Sequence, residues 1–407
     1  RAFIQKCIVG GRTMTAENKK HHTKVDVADF DAVSLYPSGM SRMDGFLQGK
    51  PKIIEQFTPE KYDGYFICIR LKKINRHLKF PLCSYISDKG VRIFSNDMEE
   101  HVIYVDKTSL EDLIYYHQIE YEFINGYYYD EGHNPLIKET MKYLFTQRLK
   151  YKKEKNPIQM IFKELMNSSY GKSYMKPIDS DNRYVKIEEM DKFIDRNYNS
   201  IKEACLLHNG RYYKVCLSNP IDKHFNNAHV GVEILSITKR IMSEVMGFYI
   251  YYQDTDSIHI ETKQIEPLAN AFKEKYGREL IGIDMGQFHT DFDMDGAVGE
   301  IKATESIFLG KKCYIDKLQS VDKDNNIIHD HHIRMKGVPC DSIKYYAKNN
   351  NLTMMELYKK LYEGETITFD LLAVRPKFDM RKNMSIITKT KFDRDIKFRY
   401  EGQQIVV

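Results

Sequence analysis

The stretch Tyr252-Gln-Asp-Thr-Asp-Ser257, set within Phe248 to Ile260, decides how this chain folds. Apolar and aromatic residues fill Phe248-Tyr-Ile-Tyr-Tyr252 on one side and Ile258-His-Ile260 on the other, which favours a buried, pleated pair of strands. The few residues between them make a tight turn, so Asp254 and Asp256 fall at the tip of a rigid hairpin. An aspartate in a turn often does no more than cap backbone N–H groups. Two of them one residue apart at a strand end also form a place to hold metal ions.

Working outward, Val25 to Pro37 supplies a second acid at a strand end. The alternating Val25, Val27 and Phe30 run into Asp31-Ala-Val-Ser-Leu-Tyr-Pro37. A two-metal phosphoryl-transfer site needs carboxylates from separate strands to hold two Mg²⁺ about 3.5–4 Å apart. Asp31 and Asp256 suit such a bridge, and Asp254 completes it. Asp29 shares the strand face of Asp31, and a structural role is expected for it.

Two helices follow from their start signals. Asn156 and Pro157 precede Ile158, Ile161, Phe162 and Leu165, an N-terminal cap and first-turn proline before helical apolar spacing. Lys163, Asn167 and Tyr170 then lie at i, i+4 and i+7 on one face. Asn134 and Pro135 open an earlier helix carrying Arg148 and Lys152, again i and i+4. Any one of these cations taken singly reads as a solvated helix face. Two adjacent cationic stripes suit a triphosphate.

Taken together, Asp31-Ala-Val-Ser-Leu-Tyr-Pro37, Lys163-Glu-Leu-Met-Asn-Ser-Ser-Tyr-Gly171 and Tyr252-Gln-Asp-Thr-Asp-Ser257 resemble, in order and character, the three polymerase motifs of family B DNA polymerases. Lys311-Lys-Cys-Tyr314, after Phe308 and Leu309, resembles that family's Lys-x-Tyr motif, which contacts the primer strand. Val9-Gly-Gly-Arg12 resembles the Tyr-x-Gly-Gly motif that joins exonuclease and polymerase domains in the protein-primed branch, with Cys7 or Ile8 where the tyrosine stands. The resemblance runs from Cys7 to about Tyr314, and three long motifs in fixed order are far more specific than one short pattern.

The fold so implied is α/β (α+β): a right-hand polymerase with palm, fingers and thumb, its antiparallel palm sheet backed by helices. The expected divisions are a linker over 1–24, palm over 25–133 and 228–339, fingers over 134–172, a candidate DNA-encircling insertion over 173–227, and thumb over 340–407. Residue by residue, the resemblance makes Asp31 and Asp256 the metal-binding acids and Asp254 a more peripheral third, holding two Mg²⁺ with Mn²⁺ as an alternative. Lys163, Arg148 and Lys152 clamp the triphosphate. Tyr36 lies under the incoming sugar, where a packed ring leaves no room for a ribose 2′-OH. Tyr170 packs against the nascent base pair, Asn167 helps fix the nucleotide, and Lys312, Tyr314, Thr255 and Ser257 hold the primer end. Gly171 reads as a close backbone approach or a turn. The implied partners are primer-template DNA, dNTPs and a terminal priming protein contacted by an insertion between the first two motifs.

Composition agrees with a compact enzyme. The 407 residues, 42% hydrophobic, suffice for more than one subdomain, and no low-complexity or repeated block is present. No apolar run approaches a membrane span, Arg1 to Gly11 carries no secretory pattern, and the seven cysteines include no Cys-x-x-Cys pair. An intracellular, reducing setting without structural zinc is expected. Net charge is only +5 but uneven: Lys142, Arg148, Lys150, Lys152, Lys153 and Lys155 crowd one region, and Arg375, Lys377, Arg381, Lys382, Lys389, Lys391, Arg394, Lys397 and Arg399 load the C-terminus. Phe378, Phe392, Phe398 and Tyr400 lie among the latter, a pattern that fits closure over duplex as well as a solvated basic surface.

Elsewhere, Gly64 to Ile74 and Ile119 to Tyr129 read as strands, with Thr108-Ser-Leu-Glu111 as a capping box between them. Pro177 to about Asn227 is polar and charged, either the DNA-encircling insertion or a surface elaboration. Asn226 to Met246 reads as a long helix beneath the sheet. His329, Asp330, His331 and His332 follow a turn-rich segment and read as a solvated hairpin loop, Asp291, Asp293 and Asp295 lack calcium-loop spacing, and Lys302 and Glu305 read as an ion pair. The chain starts at Arg1 within the interdomain-like motif, so an exonuclease is expected upstream, and this chain alone is expected to extend without proofreading. The competing readings are a nucleic-acid-primed family B polymerase and a catalytically silent DNA-binding module. Retention of all three like-charged acids speaks against the second.

Overall fold

The computed structural model describes residues 1–88, 90–175, 180–219, 227–247, 249–379, 384–396, 399–401 and 404–406, with side chains described through Phe369 except that of Tyr174. Pro177, Asn226 and Phe248, at the starts of three expected segments, lie outside the described residues, as do Arg381, Lys382, Lys397 and Phe398. The side chains of Arg375, Lys377, Phe378, Lys389, Lys391, Phe392, Arg394, Arg399 and Tyr400 also lie outside them.

The hairpin strands Ile250–Asp254 and Ser257–Glu261 form as expected. Ser257–Glu261 lies antiparallel against Val27–Ala32, pairing Ser257 with Asp31, Ile258 with Phe30 and His259 with Asp29. These three strands are the middle of a nine-stranded sheet. Thr13–Thr15 flanks Ile250–Asp254, while Lys302–Gly310, Cys313–Val321 and Ile327–Met335 continue beyond Val27–Ala32. Phe288–Thr290 and His21–Thr23 pair at its margins, and every one of these named pairings is antiparallel.

Period-two alternation divides this sheet into two unlike faces. Ala28, Phe30, Ala32, Ile258 and Ile260 are buried. Phe30, Ala32, Ile258 and Ile260 pack with Ile241, Met242 and Val245, on and just after the helix Ala228–Glu244, and with Leu268 and Phe272 of the helix Ile265–Tyr276. Burial of each large apolar side chain stabilises the fold by about 1.5–3 kcal/mol. Val27, Asp29 and Asp31 take the alternate positions and so present acids on the opposite face. The long helix therefore lies beneath the sheet, as its apolar spacing predicts.

A second antiparallel sheet, Lys52–Ile53, Ile119–Tyr129, Gly64–Ile74 and Val102–Asp106, fills the interval after the first acid. Two helices follow, Leu136–Lys153 and Ile158–Tyr174, which pack through Met141, Phe145 and Met166 on Met40 and on Val230 and Ile234 of the long helix. Asn134 Oδ1 accepts the Leu136 N–H at 3.1 Å, and Asn156 Oδ1 accepts the Ile158 N–H at 3.0 Å, so both expected start signals do the work their chemistry suggests. Over 180–218 the polar interval is a three-stranded sheet and a short helix around Val185, Met190 and Val215. Helices Cys340–Asn349 and Met354–Glu363 pack through Ile343, Leu357, Tyr358 and Leu361 against Ile307 and Ile315, ahead of the hairpin Ile367–Asp379 and Met384–Ile396.

Four local expectations need correction. Helix Lys107–Asp112 is capped by Asp106, whose side chain accepts the Ser109 N–H, so Thr108 is not the cap. The reciprocal capping box is at Thr353 and Glu356 instead. His329 to His332 belong to the strand Ile327–Met335 and not to a loop; the turn lies at Asp322 to Asn326. Lys302 pairs with Asp26, and Glu305 with His22 and Lys359, so these two are not a pair. Gly171 lies within Ile158–Tyr174, and none of the described residues comes within 4 Å of where its Cβ would be, so among them neither turn nor close approach explains it.

Candidate active site

The turn that carries Asp256 is strained and held from outside. Thr255, a β-branched residue, has φ 61°, a conformation costing of order 1–3 kcal/mol. Its N–H donates to the Arg12 carbonyl at 2.7 Å, and the Asp256 N–H donates back to the Asp254 carbonyl at 2.7 Å. A Cβ on Gly11 would lie 2.6 Å from Thr255 Cγ2, so only glycine leaves room for that methyl group. Arg12 is fully buried, with its guanidinium donating to the Phe80 carbonyl at 2.8 Å and to Ser243 Oγ at 3.0 Å. Val9-Gly-Gly-Arg12 is therefore the bed of the turn.

Asp31 and Asp256 come together at neighbouring strand ends. The Ala32 N–H donates to the Asp256 carbonyl at 2.9 Å. Burial, followed by the charges of Asp256, Asp29 and Asp291, pushes the Asp31 carboxyl up to about 8. Burial also raises Asp256, with Asp254 and Asp29 adding repulsion. Two half-buried carboxyls that resist ionising side by side call for a cation between them. Their all-oxygen donor set fits Mg²⁺ or Mn²⁺.

Asp254 stands apart. Lys312 Nζ binds its two oxygens at 2.9 and 3.1 Å, and Thr13 Oγ1 donates to it at 3.3 Å. Among the described residues the carboxylates of Asp31, Asp254 and Asp256 are not gathered into a three-donor cluster within 4.8 Å. Lys312 sits in the turn between Lys302–Gly310 and Cys313–Val321, and its N–H donates to the Tyr252 hydroxyl at 2.9 Å. Tyr314 is only 4% exposed and packs on Tyr252 and Phe308, so it presents no open face to a primer. Thr255 and Ser257 are half-buried beside the acids.

The other expected groups lie on the helices Leu136–Lys153 and Ile158–Tyr174 and on the helix Leu35–Arg42. Tyr36 and Tyr170 stack with ring centroids 3.8 Å apart and planes 4° from parallel, joining the segment after Asp31 to the helix of Lys163. Arg148 donates to Ser34 Oγ at 2.9 Å, and burial lowers its guanidinium from the usual range. Lys163 is half-buried, and Lys152 and Asn167 are exposed. Ser34, at φ 51°, was not singled out by the sequence reading. Its place three residues beyond Asp31 was the available signal.

Behind Asp31 lies a polar network that the sequence reading also missed. His259 and Asp316 are fully buried, with His259 Nε2 donating to Asp316 Oδ2 at 3.2 Å. His332 Nδ1 reaches the same oxygen at 3.3 Å, and Ser306 Oγ donates to Asp316 at 2.7 Å. Burial opposes the charge on Asp316, but His259 holds the carboxyl well below the usual range. The signal was strand parity: Asp316 follows Tyr314 by two, and His259 pairs with Asp29. A cavity of about 1090 Å³ lined by Val9, Cys83, Tyr104 and Lys239 lies away from the acids.

An acid-bearing antiparallel sheet backed by helices, with two further helices packed on the long helix beneath it, defines a right-hand polymerase. The chain belongs to the family described as DNA polymerase type B, organellar and viral, which matches residues 1–276. Among solved structures it is similar to Phi29 DNA polymerase bound to primer-template DNA, with 16% identity, TM-score 0.60, and coverage of 96% of this chain and 61% of that one. Phi29 DNA polymerase with primer-template DNA and incoming nucleotide substrates gives 15% identity, TM-score 0.59, and coverage of 97% and 62%. Its orthorhombic crystal form gives 14%, 0.61, 96% and 62%. This likeness establishes the fold, and the chain spans about three fifths of the length of those polymerases. No curated protein sequence matches it.

Proposed function

We propose that this chain carries the nucleotidyl-transfer site of a template-directed DNA polymerase, which adds deoxynucleotides to a primer 3′-hydroxyl. The observation that carries this reading is the placing of Asp31, paired with Ser257, beside the turn that carries Asp256: burial and the charge of Asp256 raise the Asp31 carboxyl, and burial with the charges of Asp254 and Asp29 raises that of Asp256. When bound, two divalent cations supply activation of the attacking hydroxyl and neutralisation of the departing pyrophosphate. Asp31 and Asp256 provide the oxygens that hold them, with Asp254 at the margin. Lys163, Arg148 and Lys152 bind the triphosphate, Arg148 exchanging Ser34 for a phosphate oxygen. Tyr36, braced by Tyr170, walls the sugar, and Asn167 faces the nucleotide. Lys312, fixed by the buried Tyr314 and Tyr252, meets the primer end with Thr255 and Ser257.

In this reading residues 25–133 and 228–339 form the palm, 134–172 the fingers and 340–407 the thumb, with 1–24 as a linker. The Gly10-Gly11 motif favours the protein-primed branch, acting on a linear viral or plasmid genome with a terminal priming protein as partner. The small sheet within 173–227 is the candidate for encircling DNA.

The test is primer extension by the purified chain with Mg²⁺ and dNTPs on a primed template, alongside Asp31→Asn and Asp256→Asn. Each variant is expected to lose at least about a hundredfold in incorporation rate, since the lost charge stabilisation is worth several kcal/mol, while primer-template binding in a mobility-shift assay persists. Undiminished extension by either variant would sink the site assignment.

A further inference from the structure

Asp29, His259 and His332 each offer a ligand atom, and those atoms lie within 4.8 Å of one another. Two of them are buried with no hydrogen-bond partner among the described residues: Asp29 Oδ1 and His259 Nδ1. They face each other at 3.8 Å, too far for a hydrogen bond. An orphaned carboxylate oxygen beside an orphaned ring nitrogen is costly in a protein interior. Tetrahedral zinc, with bonds of about 2.0–2.2 Å, sets its donors about 3.4 Å apart, so a small closure would seat an ion there.

The surroundings are those of a supported metal site. Asp316 accepts from His259 Nε2 and from His332 Nδ1, so one buried carboxylate orients both rings and fixes Nδ1 of His259 as the nitrogen turned toward Asp29. Ser306 in turn donates to Asp316. Tyr314 and Phe292 meet both imidazole rings edge-on at 5.0 to 5.9 Å, an apolar wall that strengthens any charge interaction inside it. The Asp29 and His332 side chains keep 14% and 21% exposure, which gives an ion and one water access from solvent.

We propose that Asp29, His259 and His332 form a zinc-class site, separate from the paired acids Asp31 and Asp256. Its two imidazoles and one carboxylate select a first-row ion of the zinc type over Mg²⁺, which prefers oxygen donors throughout. An ion there bolts the strand Ile327–Met335 to the strand Val27–Ala32, across the intervening strands Lys302–Gly310 and Cys313–Val321. Its role is to hold the sheet, and the chemistry stays with Asp31 and Asp256.

The experiment uses the full chain with Asp31→Asn and Asp256→Asn, so that the polymerase acids cannot report, stripped by chelator and titrated with Co²⁺. One equivalent of Co²⁺ with tetrahedral visible absorption is expected, displaced by Zn²⁺ and not by excess Mg²⁺, and Zn²⁺ should raise the melting temperature. His332→Gln, at a partly exposed position, should weaken Co²⁺ binding at least about tenfold while the chain stays folded. His259→Gln should do the same. Absence of the absorption band would leave only a hydrogen-bonded charge network and overturn the proposal, as would a band unchanged by His332→Gln.

Discussion

Gly11 and Thr255 meet where no larger pair fits. Gly11→Ala would drive a Cβ to 2.6 Å from Thr255 Cγ2, and a loss of about 1–3 kcal/mol in stability is expected from such overpacking. Thr255→Ser removes that methyl group, so the double variant should recover most of the melting temperature and extension activity that Gly11→Ala loses. Additive losses in that cycle would show that the contact is not the cause. The Tyr36–Tyr170 stack yields a second expectation. Tyr36→Ala should admit ribonucleotides at least about tenfold more readily, read as the dNTP to rNTP ratio in single-nucleotide incorporation, whereas Tyr36→Phe should keep the wild-type ratio, because the wall is the ring and not its hydroxyl. At this scale the position of Asp254 and Asp256 at a hairpin tip was legible, because apolar runs on both sides define the turn. The service of Gly11 and Arg12 to the turn was not, since a contact spanning some 240 positions leaves no local pattern. Tyr314 misled for a related reason: motif position suggested a primer contact, and packing on Tyr252 and Phe308 buried it.

Among the elements, one neutral histidine ties the loop after Gly64–Ile74 to the approach to Ile119–Tyr129 in the second sheet. His117 is fully buried, its Nδ1–H donating to the Arg76 carbonyl at 2.8 Å while its Nε2 accepts the Leu82 N–H at 2.9 Å. Burial lowers this imidazole to about 4, outweighing the help of the Arg76 bond. The group is depressed on folding, so its contribution is complete above the unfolded value of about 6.5 and is lost as pH falls toward 4. Up to about 3 kcal/mol is at stake. Thermal melts from pH 7 to 4 should show a fall that His117→Phe flattens; an equal slope in the variant would contradict the assignment. Strands Gly64–Ile74 and Ile119–Tyr129 were readable because β-branched and aromatic residues fill them. The strand Ile327–Met335 was hidden because its middle, His-Asp-His-His, is polar and follows a turn. Its pairing with Cys313–Val321 supplies what propensity could not. The helix cap stands two residues earlier than expected because Asp106 accepts the N–H of Ser109, three residues on, which places Thr108 inside the first turn.

For the whole molecule, the uneven spread of a net +5 charge matters more than its size. If Lys142, Lys150, Lys153 and Lys155, cations on and between the helices Leu136–Lys153 and Ile158–Tyr174 that are not assigned to the triphosphate, meet DNA phosphates, about four counterions leave on binding. Primer-template affinity should then fall at least about a hundredfold between 50 and 200 mM salt, measured by fluorescence anisotropy, with Asp256→Asn keeping the same slope. A nearly flat salt response would remove those helices from the DNA path. Fold class was legible at this scale because three segments in fixed order name a shared architecture. The strand order was not, since His21–Thr23 and Phe288–Thr290 are too short to announce themselves. The strained turn at Thr255 has one more consequence. Its support comes from Gly11 and Arg12, so the two ends of a loop of more than two hundred residues must meet before the turn can take shape. Closing so long a loop is slow and entropically costly, which makes the catalytic tip a late arrival in folding. A nascent chain halted anywhere short of Asp256 would hold the bed and no tip, and a piece cut out after Arg12 would hold the tip and no bed.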